Sequence, residues 1–411
     1  MYNEFYFKII YREIDAMANI LGSAGNDPIS GTPEDDVIIG DPYAGSFDVF
    51  AGFVDNWGDL AAGRGGDDVI FGGDGRDLLL GDAWTIRAHA LGGDDQLHVG
   101  ANPYLPYLAS GQAFGDAYSM YNHSVGGEDT IYGGADPDRL FGDAHDMYDK
   151  AVGGDDVIYG GAGSIFLRTA DVIYGDAANM YGKASGGDDQ IHGGQDVNFL
   201  HGDAEYMYDK STGGDDTIYG DSDYDRIYGD AVVMNDRSAG GDDTIYGGGQ
   251  GSQGAFLDEL HGDADQMYGR AVGGDDTIHG GAGTDQLYGD AGGMWDRSVG
   301  GNDRLFGGDG DDELWGDGQF HSSHVRGGDD LLTGGDGADT FFFAGDFGVD
   351  TITDFSSGDG DRIAFETFGS DDISLMFLGG NSVVTVDNEW GQGGHIIALN
   401  AHLGPDDFLF S

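Results

Sequence analysis

The chain has 411 residues with 17 Lys+Arg against 76 Asp+Glu, a formal net charge of −59. A compact state at that charge repels itself unless counterions are built into it, and nucleic acid or an anionic membrane surface makes a poor partner. Gly supplies 80 residues, Pro 7 and Cys none, and Gly does not recur every third residue, which excludes collagen, disulfide staples and thiolate metal sites.

Residues 1–21 form an N-terminal extension set outside the fold. Residues 1–16 differ in style from all that follows, Met17 offers an alternative start, and no apolar h-region before a cleavage site is visible. Two nine-residue units follow, Gly22–Ser30 (GSAGNDPIS) and Gly31–Ile39 (GTPEDDVII), with Asp27 and Asp36 in sixth place. Residues 40–62 are irregular.

From Gly63 the order settles into a 27-residue super-unit of three nines, and the repeat region as a whole is assigned to residues 22–342. The first nine is xxGGDDxIx, as in Ser211–Tyr219. The second is GGxGxDxLY, as in Gly280–Tyr288. The third is GDAxxMYxK, as in Gly202–Lys210. Some super-units run to 33 or 34 residues because the second nine is expanded, as in Gly160–Tyr174. A solenoid tolerates this, since an insertion in one turn bulges outward and leaves the stack intact.

Within each nine the Gly-rich half reads as a turn and the x-U-x half as a short strand, whose alternate residues face opposite ways. The eighth residue then faces inward, giving the columns Ile131, Ile158, Ile191, Ile218, Ile245, Ile278 and Leu140, Ile173, Leu200, Ile227, Leu260, Leu287. A disordered acidic chain has no reason to keep such columns. The expected fold is all-β: a right-handed parallel β-solenoid or β-roll with a thin aliphatic core and a C-terminal β cap over residues 343–411. No stretch of the chain approaches the length of a transmembrane helix.

The run Gly280–Thr333 cuts into six nines without a gap, four of them with Asp sixth and Leu eighth (Asp285/Leu287, Asp303/Leu305, Asp312/Leu314, Asp330/Leu332). The unit GGxGxDxUx is the calcium-binding nonapeptide of RTX proteins. The chain therefore resembles the RTX (hemolysin-type calcium-binding repeat) family. The family's β-roll uses 18 residues per coil, which here would stack unlike blocks; a 27-residue coil stacks like on like and is favoured. About ten such coils, at the ~4.8 Å strand spacing, would make a rod roughly 50 Å long.

The resemblance implies multiple Ca²⁺ ions, a hard cation taking six to eight oxygen ligands from turn carbonyls and carboxylates. The expected ligands are the sixth-position aspartates. In the GGDD turns these are Asp68, Asp95, Asp129, Asp156, Asp189, Asp216, Asp243, Asp276, Asp303 and Asp330. In the second nines they are Asp77, Asp138, Asp171, Asp225, Asp258, Asp285, Asp312 and Asp339, joined by Asp27 and Asp36. Carboxylates stacked at ~5 Å repel without a cation between them. Asn198 stands where Asp belongs and weakens its site. The GDAxxM blocks carry Asp second (Asp143, Asp203, Asp290) and Met sixth, and are not expected to bind an ion in the RTX manner.

Other columns have blander readings. Met120, Met147, Met180, Met207, Met234, Met267 and Met294 read as core filling. Lys150, Lys183, Lys210, Arg237, Arg270 and Arg297 read as charge balance for Asp149, Asp209, Asp236 and Asp296, with an anionic-ligand stripe as the functional alternative. The aromatic columns Tyr132, Tyr159, Tyr219, Tyr246 and Tyr174, Tyr228, Tyr288, Trp315 read as outward stacking ladders. His192, His201, His261 and His279 read as surface substitutes for Tyr.

No H-E-x-x-H, G-x-S-x-G or P-loop is present, and the repeats with their cap leave no segment large enough for a separate catalytic domain. Gly334–Phe365 resembles the cap that follows the repeats in serralysin-like, type I-secreted proteins, and the ending Asp406-Asp407-Phe408-Leu409-Phe410-Ser411 looks like an uncleaved type I secretion signal. The resemblance implies an extracellular protein delivered by a type I exporter, with a structural or binding role at the cell surface or matrix. The alternatives are a polysaccharide-acting enzyme or a glycan-binding module using the solenoid face; a cytotoxin ranks below both.

Overall fold

A computed structural model describes residues 18–21, 28–30, 36–39, 59–101, 111–161, 170–195, 197–221, 224–249, 257–387 and 392–410. Asp27 lies outside them, and of Asp36 only the backbone is described.

The strands are three to six residues long over most of the chain and fall into three sheets. The GGDD nines run through the first sheet, of 15 strands among the described residues, the GGxGxD nines through the second, of 14, and the GDAxxM nines through the third, of 10; the first two counts include strands before and after the regular repeats. Neighbours pair in parallel and in register with the same block one super-unit on. Thr217–Tyr219 pairs with Thr244–Tyr246, Leu140 with Ile173, and Met147 with Met180. One coil is therefore one super-unit, and the GDAxxM block is a complete third side. Like stacks on like, so each column keeps one chemistry.

Two apolar cores run along the repeats. Ile158, Ile191, Ile218 and Ile245 of the first sheet pack with Ile173, Leu200, Ile227 and Leu260 of the second. Each of these side chains is fully buried, and such burial is worth about 1.5–3 kcal/mol per residue. The third sheet keeps a separate core of stacked Ala and Met (Ala144, Met147, Ala177, Met180, Ala204, Met207). Methionine fills this narrower space as the sequence suggests.

The chain enters the third side at a Gly-Asp step and leaves it at a Gly-Gly turn. The two meet, because the second glycine of each GGDD turn donates its N–H to the carboxylate of the Gly-Asp step before it, at 2.9 Å for Gly214 to Asp203. The third side is thus a limb joined to the two-sheet body through a narrow neck. Glycine is required there: a Cβ on Gly214 would lie 1.6 Å from the Gly187 carbonyl oxygen of the preceding coil.

The aromatic columns divide. Phe71, His98, Tyr132, Tyr159, His192, Tyr219, Tyr246, His279 and Phe306 form one outward ladder on the first sheet, with ring centroids 4.6–5.2 Å apart. The second ladder, Phe114 to Phe342, stacks equally well but is not on the surface. Tyr174, Tyr228, His201, His261 and Trp315 are 1–3% exposed. The two-residue Gly-Asp step folds the third-sheet strand back over the ninth position, so that Tyr174 shares a buried cluster with Phe141 and Ala178. His201 and His261 are therefore buried ring-stackers rather than surface substitutes, and burial lowers the His201 imidazole to about 4.

The third sheet ends with Gly318–His321, while the first two each gain further strands. Gly348–Ile352 and Gly393–Ala398 extend the first sheet, and Arg362–Phe365 and Phe408–Phe410 extend the second. The strand Asn381–Asp387 is antiparallel to both Gly393–Ala398 and Ile373–Leu378, and Ile373–Leu378 closes the first sheet.

Candidate metal centres

The two expected ligand columns share one geometry. In the GGDD column each carboxylate reaches back one coil: Oδ1 accepts the N–H of the equivalent aspartate before it. Asp95 donates to Asp129, Asp129 to Asp156, Asp189 to Asp216 and Asp303 to Asp330, all at 2.6–2.9 Å. The GGxGxD column repeats this, from Asp138 to Asp171, Asp225 to Asp258, Asp258 to Asp285 and Asp312 to Asp339, at 2.8–3.1 Å. The strand pairing that sets the coil step delivers each carboxylate to the amide above it.

The other oxygen is treated differently. Oδ2 of Asp129, Asp156, Asp189, Asp216, Asp243, Asp276, Asp303 and Asp330 is buried and receives no hydrogen bond from protein. The same is true of Asp225, Asp285, Asp312 and Asp339. Buried carboxylate oxygens left in this state cost several kcal/mol each unless a proton or cation reaches them. Burial, reinforced by neighbouring carboxylates, pushes the GGDD carboxyls such as Asp156 and Asp243 well above the usual range. Burial alone raises Asp285 to about 6, and with neighbouring charge Asp312 to about 7. An all-oxygen donor set, aligned and short of positive charge, fits a hard divalent cation.

The structure places Asp68, Asp77, Asp95, Asp138, Asp171 and Asp258 in the same buried columns. Both columns also run past the repeats. Asp350 accepts the Asp330 N–H at 2.9 Å, and Asp361 accepts the Asp339 N–H at 3.1 Å. Each closes a glycine turn, with Gly345 and Gly348 before Asp350 and Gly358 and Gly360 before Asp361, although the sequence reading ended the ligand series at Asp339. The signal that finds them is Asp two residues before an inward aliphatic, Asp350/Ile352 and Asp361/Ile363.

Asn198 is accommodated by its amide, whose Nδ2 donates to Asp225 Oδ1 at 2.9 Å. A second break occurs one coil after Asp77, where Gly111 takes the ligand position and donates its N–H to Asp138 at 3.0 Å.

The GDA aspartates, assigned no ion from sequence, are among the most buried polar groups of the chain. Asp82, Asp116, Asp143, Asp176, Asp203, Asp230, Asp263 and Asp290 are 0% exposed and Asp317 is 4% exposed. Each lies in the neck beside the GGDD aspartate of its own coil. Burial first, then that partner's charge, holds Asp203 and Asp263 well above the usual range.

One cluster of another kind has its own cation. Glu259, His261 and Asp265 offer ligand atoms within 4.8 Å of one another. Burial would push Glu259 up, but His261 and the paired Arg226 guanidinium outweigh it and hold the carboxyl at about 2.

A three-sided parallel solenoid with columns of donor-starved carboxylates at its turns defines a class of cation-dependent repeat proteins. The chain matches the family described as RTX calcium-binding nonapeptide repeat (4 copies), over residues 21–42, 58–83, 123–146, 151–164, 183–205, 211–231, 268–293, 299–319 and 324–352. These stretches make up half of the chain, and the protein belongs to that family. Membership carries calcium binding with it and fits the secretion typical of such repeat proteins. No curated protein matches the chain.

Proposed function

We propose that this is a calcium-loaded extracellular solenoid with a structural or binding role at the cell surface or in the matrix, folding on calcium after export through a type I system. The ligands are the sixth-position aspartates named above, continued by Asp350 and Asp361. The observation that carries this reading is the division of labour within each carboxylate: one oxygen on the backbone amide of the coil before, the other buried with no donor. Such columns cannot ionise together in a dry interior, so the ion is part of the fold and binding free energy is folding free energy. Extracellular modules bind calcium at about 10⁻⁴–10⁻³ M, which would keep the chain unfolded in a low-calcium cytosol and fold it outside. Far-ultraviolet circular dichroism with millimolar calcium and with chelator tests this; strand signal indifferent to chelator would overturn it.

A second reading, glycan binding by the solenoid face, draws on the third-sheet edge. Lys150, Lys183, Lys210, Arg237, Arg270 and Arg297 line one open groove with Asp149, Asp209, Asp236 and Asp296. Among the described residues none of these six cations forms an ion pair, and Asp209 and Asp296 instead accept the N–H groups of Gly182 and Gly269. The charge-balance reading loses support accordingly. Beside the cations Tyr121, Tyr148, Tyr181 and Tyr208 stack at 4.8–5.1 Å. Cations one coil apart beside a stack of rings suit an extended acidic polysaccharide. Retention on immobilised polyuronate that is lost when Lys183, Lys210 and Arg237 become Gln supports it; equal retention of the variant refutes it.

A further inference from the structure

The GDA column repeats the signature of the two predicted ligand columns, with the backbone partner changed. One carboxylate oxygen accepts the N–H of the second glycine in the following GGDD turn. The distances are 3.1 Å for Gly127 to Asp116, 3.0 Å for Gly187 to Asp176, 2.9 Å for Gly241 to Asp230 and 2.8 Å for Gly274 to Asp263. The other oxygen, Oδ1 of Asp116 and Oδ2 of Asp176, Asp203, Asp230, Asp263 and Asp290, is buried and receives no hydrogen bond. A capping role explains the first oxygen. It does not explain the second.

Oδ2 of Asp176, Asp203, Asp230 and Asp263 each shares a cleft with the glycine-bonded oxygen of the next coil's carboxylate. A Cβ built on Gly213 would lie 1.9 Å from Asp230 Oδ1 and 2.4 Å from Asp203 Oδ2. The cleft left by the missing side chain thus gathers carboxylates from two consecutive coils. Gly186 gathers Asp203 and Asp176 in the same way, Gly240 gathers Asp230 and Asp263, and Gly273 gathers Asp263 and Asp290. Across the neck, a Cβ on Gly202 would lie 2.0 Å from Asp216 Oδ2 and 1.7 Å from the Gly229 carbonyl oxygen. The neck therefore holds, coil after coil, a GDA carboxylate, a GGDD carboxylate and a backbone carbonyl, all oxygen donors.

We propose that the GDA aspartates are calcium ligands, each serving the neck of its coil together with the GGDD aspartate thirteen residues on. The pairs are Asp116/Asp129, Asp143/Asp156, Asp176/Asp189, Asp203/Asp216, Asp230/Asp243 and Asp263/Asp276, with Asp290/Asp303 and Asp317/Asp330 closing the series. Two carboxylates per coil match the charge of one divalent ion. The ion is then internal, lying between the two-sheet body and the Met limb, and it ties the limb's entry to its exit. The proposal rests on the calcium reading above and adds ligands to it.

Calcium counting by calorimetry and native mass spectrometry tests it on three full-length chains: the unaltered protein, Asp203→Asn/Asp230→Asn/Asp263→Asn, and Asp216→Asn/Asp243→Asn/Asp276→Asn. Asn keeps an oxygen to accept the glycine N–H, so capping alone survives the first triple substitution. The expected result is about three fewer ions in each triple variant, one for each coil altered. An unchanged count in the GDA variant beside a reduced count in the GGDD variant overturns the proposal while leaving the calcium reading intact. No ion on the unaltered protein overturns the calcium reading itself. Should a triple variant fail to fold, single Asp203→Asn gives the same decision: one ion fewer supports the proposal, and an unchanged count overturns it.

Discussion

Asn198 is a substitution that the chain has already made, and reversing it separates calcium from packing. Asn198→Asp adds no volume at a site that is 0% exposed. In calcium-free protein the change removes the Nδ2–H donor that Asp225 Oδ1 receives at 2.9 Å and sets a second carboxylate against it. Losing a hydrogen bond to a charged group costs about 1.5–3 kcal/mol. In calcium the new carboxylate completes the column between Asp171 and Asp225. An added ion at ten to one hundred times its dissociation constant contributes about 1.4–2.7 kcal/mol. The two terms nearly cancel at high calcium and leave only the cost at low calcium. The calcium titration of folding, followed by circular dichroism or tryptophan fluorescence, should therefore be steeper for Asn198→Asp. Its curve should lie below that of the parent at low calcium and meet it near saturation, and ion counting should find one more site. Two curves separated by a constant gap, with equal ion counts, would refute the reasoning.

Protons and calcium should compete for the same oxygens. Asp285 and Asp339 are raised to about 6 and Asp230, Asp290 and Asp312 to about 7, in each case chiefly by burial. A carboxyl raised by folding binds more protons in the folded than in the unfolded chain between its two pKa values. The calcium-free fold thus gains stability on acidification and loses it as pH rises through 6–7. In chelator, strand signal at pH 5 should exceed that at pH 8, and calcium affinity should weaken below pH 7; pH-independence of both would refute this. Ile218→Ala, at 0% exposure in the middle of its column, should cost about 2–5 kcal/mol in urea unfolding with calcium present, against less than ~0.5 kcal/mol for the outward Thr217→Ala. Equal effects would contradict the inward assignment. Gly214→Ala places a methyl 1.6 Å from the Gly187 carbonyl oxygen and should cost more than Gly379→Ala, which meets nothing within 4 Å and pays only the ~1–2 kcal/mol of a left-handed backbone. The comparison is again a urea midpoint, and the opposite order would refute it.

Most of the architecture was legible because the pattern has two independent periods. The nine-residue period locates Asp and aliphatic within a turn-strand unit, and the three-block alternation sets the coil at one super-unit rather than at 18 residues. Ile218 over Ile245 and Met207 over Met234 follow from that alone. What was not legible depends on the angle between sides, which no period encodes. The ninth position of the second nine faces away from the aliphatic core, so Tyr174 and Trp315 read as outward. They are buried because the Gly-Asp step is short enough to fold the next strand over them. The burial of the GDA aspartates escaped the sequence by the same omission. Judged against the nonapeptide, an acid in second place is out of position; in the folded coil it stands against the acid that ends the following turn.

That displacement is what a third side demands. In a two-sided roll each turn joins one sheet directly to the other, and a single sixth-position acid per turn suffices to face its equivalents in the stack. A third side requires the chain to leave the body and return, and the points of departure and return must sit together for the first and second sheets to keep their pairing. The return point already carries the GGDD acid. An acid at the sixth position of the limb block would lie out in the Ala/Met core, where Met207 is found, with no partner and no donors. An acid at the second position lies at the departure point, within reach of the glycine N–H of the return turn, and faces the returning acid across the neck. Methionine in sixth place and aspartate in second are therefore one adaptation: the apolar residue fills the limb, and the carboxylate moves to the neck, where a divalent ion can bridge both crossings of the chain.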